Sequence, residues 1–523
     1  MASIDHQIPV WITVFFAVLL LGLIACLALE EKLHAKKSVI AGLFAIVCLL
    51  LGALFGILPF DRVVVGSHEL TEHEAVKGDY EFETDANHAT HHIELHARKD
   101  EDENRRADAE SEAPTLVHVG GQRIEMPVYI PGINWGVIAI ILGSSLFVDV
   151  TSRSGLFTWV AIKVTKASGG DPLKLLYFYG VMTVVFSAVL NNVTAMIIVG
   201  SLTAVSLDKL DRKHQLLAFL LIEGLLTNIG GLLTLISSVP NIIVGLTAGI
   251  GFATFFIKAA PYVAVSTLLT LWMGARLFGI HKLGTAEQRA EARQLVASFD
   301  ENDGVESWRF FWFGAAMLLL FIGCIAGASI LPGNLRHLGM GYIALGFAGV
   351  MLIRYKSEVD TFYKSVDWDL LGFFMALFVV IYVMEHAHVL QAIGDGLKQV
   401  IVDIQLDPAH WRDTVVMLLG SAAFSSVTDN IPLAAMLSSI LTSLGAPDAV
   451  NGGPESGLWW AVIFGANLGG NLTPIGSAST LVAVTIIHKH KLRLSFAAFV
   501  KAAFPFAIAQ IALATLYVLI FLR

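Results

Sequence analysis

Two short stretches of the chain place asparagine, threonine and aspartate in the middle of apolar runs, where an unmet polar group is expensive. The first is Phe186-Ser-Ala-Val-Leu-Asn-Asn192, with Asn191, Asn192 and then Thr194. The second is Phe424-Ser-Ser-Val-Thr-Asp-Asn430, with Asp429, Asn430 and then Pro432, a residue suited to a helix's first turn. Two further stretches, 227–241 and 466–480, interrupt apolar patterns with Gly-Gly, Thr and Pro. They carry Asn228, Thr234 and Asn241 in one, and Asn467, Thr473, Ser477 and Thr480 in the other. A helix stopped inside a membrane exposes free N–H groups at one new end and free C=O groups at the other. With small polar side chains these can replace part of an ion's hydration shell. Single Asn or Thr residues in spans normally tie neighbouring helices together. Matched occurrences at corresponding points of two halves point instead to an ion site.

Ionisable residues inside apolar segments are functional candidates by default. Asp149, Glu223, Glu385 and Asp429 qualify as coupling groups, since a carboxylate that gives up a proton when a cation arrives links the two by charge. The alternative is an interfacial carboxylate capping a helix. Asp149 and Glu385 lie 14 and 17 residues after Trp135 and Trp368, comparable places in the two halves. Arg153 and Lys258 read as snorkelling span-end residues. Cys26, Cys48 and Cys324 lie in apolar segments as packing residues.

The elements that must position these groups are membrane spans. Hydrophobic residues make up 55% of the 523-residue chain and charged ones 15%, with mean hydropathy +0.70. Apolar runs of spanning length, roughly 20 residues, recur at 8–29, 39–58, 133–150, 216–247, 256–276, 310–330, 338–353, 368–384, 458–487 and 496–522, predicting ten crossings. The first opens with Asp5 and His6, unlike a cleaved secretory signal, and is expected to be retained. The net charge of −9 comes from one segment: between Asp61 and Glu125 there are 17 acidic and 7 basic residues. Seven histidines fall there too, and low apolar content predicts a flexible extramembrane loop. His92 and His96 have the spacing to share a helical face, which would allow a weak divalent-metal site.

Lysine and arginine in short loops place 30–37, 163–174, 209–213, 276–309, 354–364 and 489–493 inside, and the acidic insert outside. Bases on both sides of 172–207 then require a hairpin that enters and leaves on one face. The motifs at 186–192 and 424–430, and at 228–234 and 467–473, match about 238 residues apart. Their halves open at Trp135 and Trp368, the third and eighth crossings, so the repeat is inverted. The fold class expected is an all-α polytopic membrane protein with two inverted repeats, re-entrant hairpins and discontinuous transmembrane helices. Residues 154–168 and 389–403 read as interface-plane helices supporting each hairpin. The domains are two N-terminal helices (1–58), an acidic His-rich insert (59–131), repeat 1 (132–280), a cytoplasmic linker with transmembrane helices (281–366) and repeat 2 (367–523).

With those residues in view, the chain resembles the ion-transporter superfamily, which holds arsenite permeases, NhaD-type sodium/proton antiporters, the melanosomal P protein, and citrate and divalent-anion sodium symporters. The resemblance runs from Trp135 to the C-terminus through FSAVLNNVTAMI, IEGLLTNIGGLLTLISSVPN, FSSVTDNIPLAAM and FGANLGGNLTPIGSAST. It implies hairpin tips that hold sodium and substrate, movement of a transport domain against a scaffold, and a homodimer. The tips depart from the family's Ser-Asn-Thr, and Ile236-Ser-Ser-Val-Pro-Asn241 lacks the family's usual Asp. The expected activity is secondary transport of a small inorganic or carboxylate ion in a bacterial inner membrane, coupled to Na+ or H+. Sodium/proton antiport and oxyanion permeation are the alternatives, and a non-transporting sensor a remote one. No Gly-Lys dipeptide occurs, so no P-loop is present; a non-enzyme without a cofactor or nucleic-acid partner is expected, its other partner being the lipid bilayer.

Overall fold

A helix satisfies its own backbone hydrogen bonds without water, and the apolar runs adopt it. The computed structural model describes residues 8–58, 63–65, 80–81, 91–93, 96–97, 119–124, 129–130, 132–328, 338–450 and 455–522. The chain divides into two units, one of 1–57 with 133–523 and one of 58–132.

The larger unit is helical: α1 (Val10–Ala28), α2 (Glu30–Leu33), α3 (Lys37–Leu54), α4 (Trp135–Ser152), α5 (Leu156–Ser168), α6 (Pro172–Val189), α7 (Asn192–Lys209), α8 (Leu216–Gly231), α9 (Val239–Thr247), α10 (Phe252–Leu277), α11 (Ala286–Ala297), α12 (Trp308–Ala326), α13 (Gly339–Arg354), α14 (Val359–Ser365), α15 (Trp368–His386), α16 (Val389–Lys398), α17 (Trp411–Ser425), α18 (Asn430–Ser443), α19 (Gly457–Gly469), α20 (Ala478–Lys489) and α21 (Phe496–Tyr517).

Among the described residues, eight helices are long and apolar enough to cross a membrane: α1, α3, α4, α6, α10, α12, α15 and α21 with its continuation to Leu522. Seven coincide with expected crossings. The eighth, α6, is a hairpin arm in the sequence reading. The expected crossings at 216–247 and 458–487 are each two short helices, α8 with α9 and α19 with α20, separated where Gly-Gly and Pro occur. Helix α13, at 338–353, has 16 residues. Outer helices α1 and α12 bury only 22% of their spanning windows, and residues such as Leu21 and Leu319 are exposed at 65% and 73%. Apolar faces of this kind suit lipid. Helix α19 is buried along its whole length and α8 at every position except Leu217, so the two broken segments form the interior.

The smaller unit is not helical among its described residues. Strand β5 (Val119–Ile124) pairs antiparallel with β1 (Val63–Val65) and with β3 (His91–Ile93), and β2 (Tyr80–Glu81) pairs with β4 (His96–Ala97). His92 therefore stands opposite Gly120 in one pairing and His96 opposite Glu81 in another. This corrects the helical-face reading of the two histidines, whose spacing has meaning only on a helix. No cluster of metal-ligating residues occurs among the described residues.

Candidate functional site

The local sequence makes each break. Helix α6 ends where Leu190 and Asn191 turn extended, and Asn191 Oδ1 then accepts from Thr194 N at 2.7 Å, capping α7. Helix α18 begins the same way, with Asp429 Oδ1 accepting from Ile431 N at 3.1 Å. After α8 the chain runs through 232–238 and restarts at α9 with Pro240 in its first turn. After α19 it runs through 470–477 and restarts at α20, capped by Ser477.

These restarts converge on a cavity of about 360 Å³. Its wall includes the starts of four helices: Asn191–Thr194 of α7, Ser238–Pro240 of α9, Asn430 and Ile431 of α18, and Ser477–Ser479 of α20. Asp367, the cap of α15, adds a fifth. Ser144, Ser145 and Asp149 of α4 and Ser237 complete the polar lining; no Lys or Arg lines it. Each helix N-terminus carries partial positive charge and unpaired N–H groups. The wall thus offers donors and positive dipole ends without a fixed cation. The C-terminal part of α4 and the N-terminal start of α15 face the same space, so these corresponding helices present opposite ends to it.

Behind the wall, hydrogen bonds cross between the two halves in corresponding pairs. Ser238 Oγ donates to Asn467 Oδ1 at 2.7 Å, and Ser477 Oγ donates to Asn228 Oδ1 at 2.9 Å. Within each half, Ser187 Oγ donates to Thr227 O as Ser425 Oγ does to Ala466 O. Likewise Thr234 Oγ1 donates to Ala188 O and Thr473 Oγ1 to Ser426 O, both at 2.6 Å. Further bonds tie Asn228 Nδ2 to Asn471 Oδ1, Asn467 Nδ2 to Asn241 Oδ1, and Asn192 Nδ2 to Asn228 Oδ1. Asn241 Nδ2 also holds the Gly231 and Thr234 carbonyls, and Thr480 Oγ1 the Ser477 carbonyl.

Of the residues singled out by sequence, Asn191, Asn192, Thr194, Asn430, Ser477 and Asp149 line the cavity. Asn228, Thr234, Asn241, Asn467, Thr473 and Thr480 form its supporting network. Asp149 also pairs at 3.7 Å with Arg153, which caps the end of α4. Three candidates have other surroundings. Asp429, besides capping α18, forms an ion pair with Lys37 Nζ at 2.5 Å, so the second tip has a lysine beside it. Glu385, at the far end of α15 from Asp367, is exposed and lies outside the lining. It sits near the same end of α15 as Asp149 does of α4, but opposite ends of the two helices meet the cavity. Glu223 is wholly buried away from the lining and accepts from Thr203 Oγ1 at 2.6 Å.

Sequence reading missed Ser238, Ser479, Asn471, Asp367 and Lys37. Ser238 was recoverable because it aligns with Ser477 in the matched stretches 227–241 and 466–480. Asn471 aligns with Leu232 and so lacks a matched partner, while Lys37 lies outside the matched stretches and carries no spacing signal.

The sequence pattern of the citrate transporter family matches residues 113–462. The chain is 30% identical over 390 residues to the 46 kDa membrane protein of Mycobacterium leprae (strain TN), a match covering 74% of this chain and 86% of that protein. It is 26% identical over 474 residues to the P protein of Homo sapiens, covering 76% of this chain and 55% of that protein. In fold it resembles the crystal structure of the Alcanivorax borkumensis YdaH transporter, with a TM-score of 0.53 and 12% identity over 93% of this chain and 98% of that one.

Proposed function

The chain belongs to the citrate transporter family and is a multi-pass membrane transporter, and on that premise we propose that it moves a small carboxylate anion by secondary transport driven by a sodium or proton gradient. The observation that carries this reading is the convergence of four interrupted-helix N-termini on one cavity with no Lys or Arg in its wall. A helix N-terminus stabilises an anion by roughly 0.3–1 kcal/mol when exposed and up to ~2 kcal/mol when partly buried. Several around one carboxylate group supply what a single arginine otherwise would. Asn192 and Asn430 add side-chain amide donors.

Asp149 and Asp367 in the same wall oppose an anion travelling alone. A cation bound with it offsets that repulsion, which supports coupled entry. Side-chain and backbone oxygens at the breaks are the groups that would hold Na+ at the tips. In this reading the two halves are inverted repeats and their tips re-entrant hairpins, supported by the corresponding hydrogen bonds and by the opposite ends that α4 and α15 turn to the cavity. Alternating access then moves the tips against a scaffold within a homodimer in a bacterial inner membrane. Sodium/proton exchange without an anion is the second reading, favoured by the buried carboxyl of Glu223.

Uptake of labelled citrate, succinate and arsenite into proteoliposomes under imposed sodium or pH gradients tests the assignment. Gradient-driven accumulation of a carboxylate is expected. Sodium-for-proton exchange with no anion taken up would replace the first reading with the second.

A further inference from the structure

We infer that Glu223 is a proton-binding site of the transport cycle, separate from the anion cavity and linked to it through α7 and α8. The inference rests on the coupled-transport reading and names the group that carries one coupling ion. Glu223 is 0% exposed, and only one of its carboxyl oxygens has a partner: Oε1 accepts from Thr203 Oγ1, while buried Oε2 has none. An ionised carboxylate buried with a single hydrogen bond from the protein is far costlier than the neutral acid. The conformation described thus holds Glu223 with its proton, and release requires the packing around it to open.

The packing is made by the helices that carry the first tip. Thr203 lies on α7, the return arm that starts at the tip residue Asn192, and Asn228, five residues beyond Glu223 on α8, bonds both Asn192 and Ser477. Charge appearing at Glu223 would disturb the α7–α8 contact that sets the first tip. A proton route is partly built: Thr165 Oγ1 lies 2.6 Å from Tyr179 OH, which lies 2.7 Å from Ser206 Oγ, and one turn of α7 separates Ser206 from Thr203.

Helices α6, α7, α10, α19 and α20 pack against α8. Of their ionisable groups Tyr179 faces Glu223. The others are engaged elsewhere or exposed: Lys258 pairs with Glu455, Asp208 with Lys213, Lys209 lies on the Phe299 ring and Arg276 on the Trp272 ring. Tyr262 donates to Gln510 O, His488 lies against Leu494 O, Tyr177 is half-buried, and Lys174 and Lys489 are exposed.

Two measurements on the full chain test this. The apolar reagent dicyclohexylcarbodiimide attacks protonated carboxyl groups, so the wild-type protein should yield an adduct on Glu223 that declines as pH rises. Absence of that adduct at low pH would overturn the proposal. Second, over the pH range in which citrate is fully ionised, its binding to wild type should take up protons and depend on pH, whereas in E223Q the binding curve should be flat with pH and the proton uptake abolished. A pH dependence in E223Q equal to wild type would also overturn it. If wild type binds no citrate the anion reading fails, while the carbodiimide result still reports on Glu223.

Discussion

The hydroxyl of Ser477 donates to Asn228 Oδ1 at 2.9 Å, joining residues 249 positions apart at the point where both interrupted segments break. Asn228 also accepts from Ser479 and Asn192 and donates to Asn471, so one side chain ties the first tip to the second half. Replacing Asn228 with Ala leaves several buried polar atoms without partners, at about 1–3 kcal/mol each. Asn228→Ala is expected to lower the melting temperature and to raise the KM for the anion. Wild-type values for both would remove Asn228 from the supporting network.

Asp429 invites a different expectation from the one its sequence position suggests. Its carboxylate caps α18 and pairs with Lys37, with side chains 19% and 31% exposed. An amide can keep the cap, so Asp429→Asn should lose only the partly exposed pair, about 0–1 kcal/mol, and retain gradient-driven uptake. Asp429→Ala also loses the cap, about 1 kcal/mol more. Thermal denaturation and uptake of the two variants check this. Uncoupled transport by a well-folded Asp429→Asn would make Asp429 the coupling group after all.

Close backbone approach gives a third expectation. A Cβ on Gly230 would lie 2.7 Å from the Val184 carbonyl oxygen, and one on Gly469 would meet that of Ala422, whereas one on Gly420 meets nothing within 4 Å. Overpacking typically costs about 1–3 kcal/mol. Gly230→Ala and Gly469→Ala should reduce the yield of monodisperse protein in size-exclusion chromatography, with Gly420→Ala as the tolerated control.

Outside the spans, Glu301 accepts from Lys163 and Lys166 of α5, and these hydrogen bonds hold its carboxyl near about 2, below the ordinary 4.5. A lowered carboxylate value means the contact is fully present above the ordinary range and is lost as pH falls towards 2. Hydrogen exchange in 299–307 should be slowest near neutrality and quicken on acidification or in high salt. Exchange that is flat with pH would show that the pair does not hold the loop.

The breaks were legible because Gly-Gly, Pro and paired Asn residues have no place in an uninterrupted span, and their repetition at corresponding points revealed the matched halves. The crossing hydrogen bonds follow from that match once the halves face each other, as Ser238 with Asn467 and Ser477 with Asn228 show. Lys37 beside Asp429 was not legible, since 392 residues separate them. Nor was the collection of helix starts around one cavity. Sequence marks where a helix begins, but only packing decides whether several beginnings point at the same space. The exposed position of Glu385 shows the converse: equal distance from a matching tryptophan is no guide when opposite helix ends meet the site.

A cryo-electron microscopy map of the protein in lipid nanodiscs with saturating citrate tests the central claim most directly. The account predicts density for one anion between the starts of α7, α9, α18 and α20, within hydrogen-bond reach of Asn192 or Asn430, with both spans broken. Citrate bound elsewhere, an empty cavity at saturation, or continuous helices through 232–238 and 470–477 would contradict it.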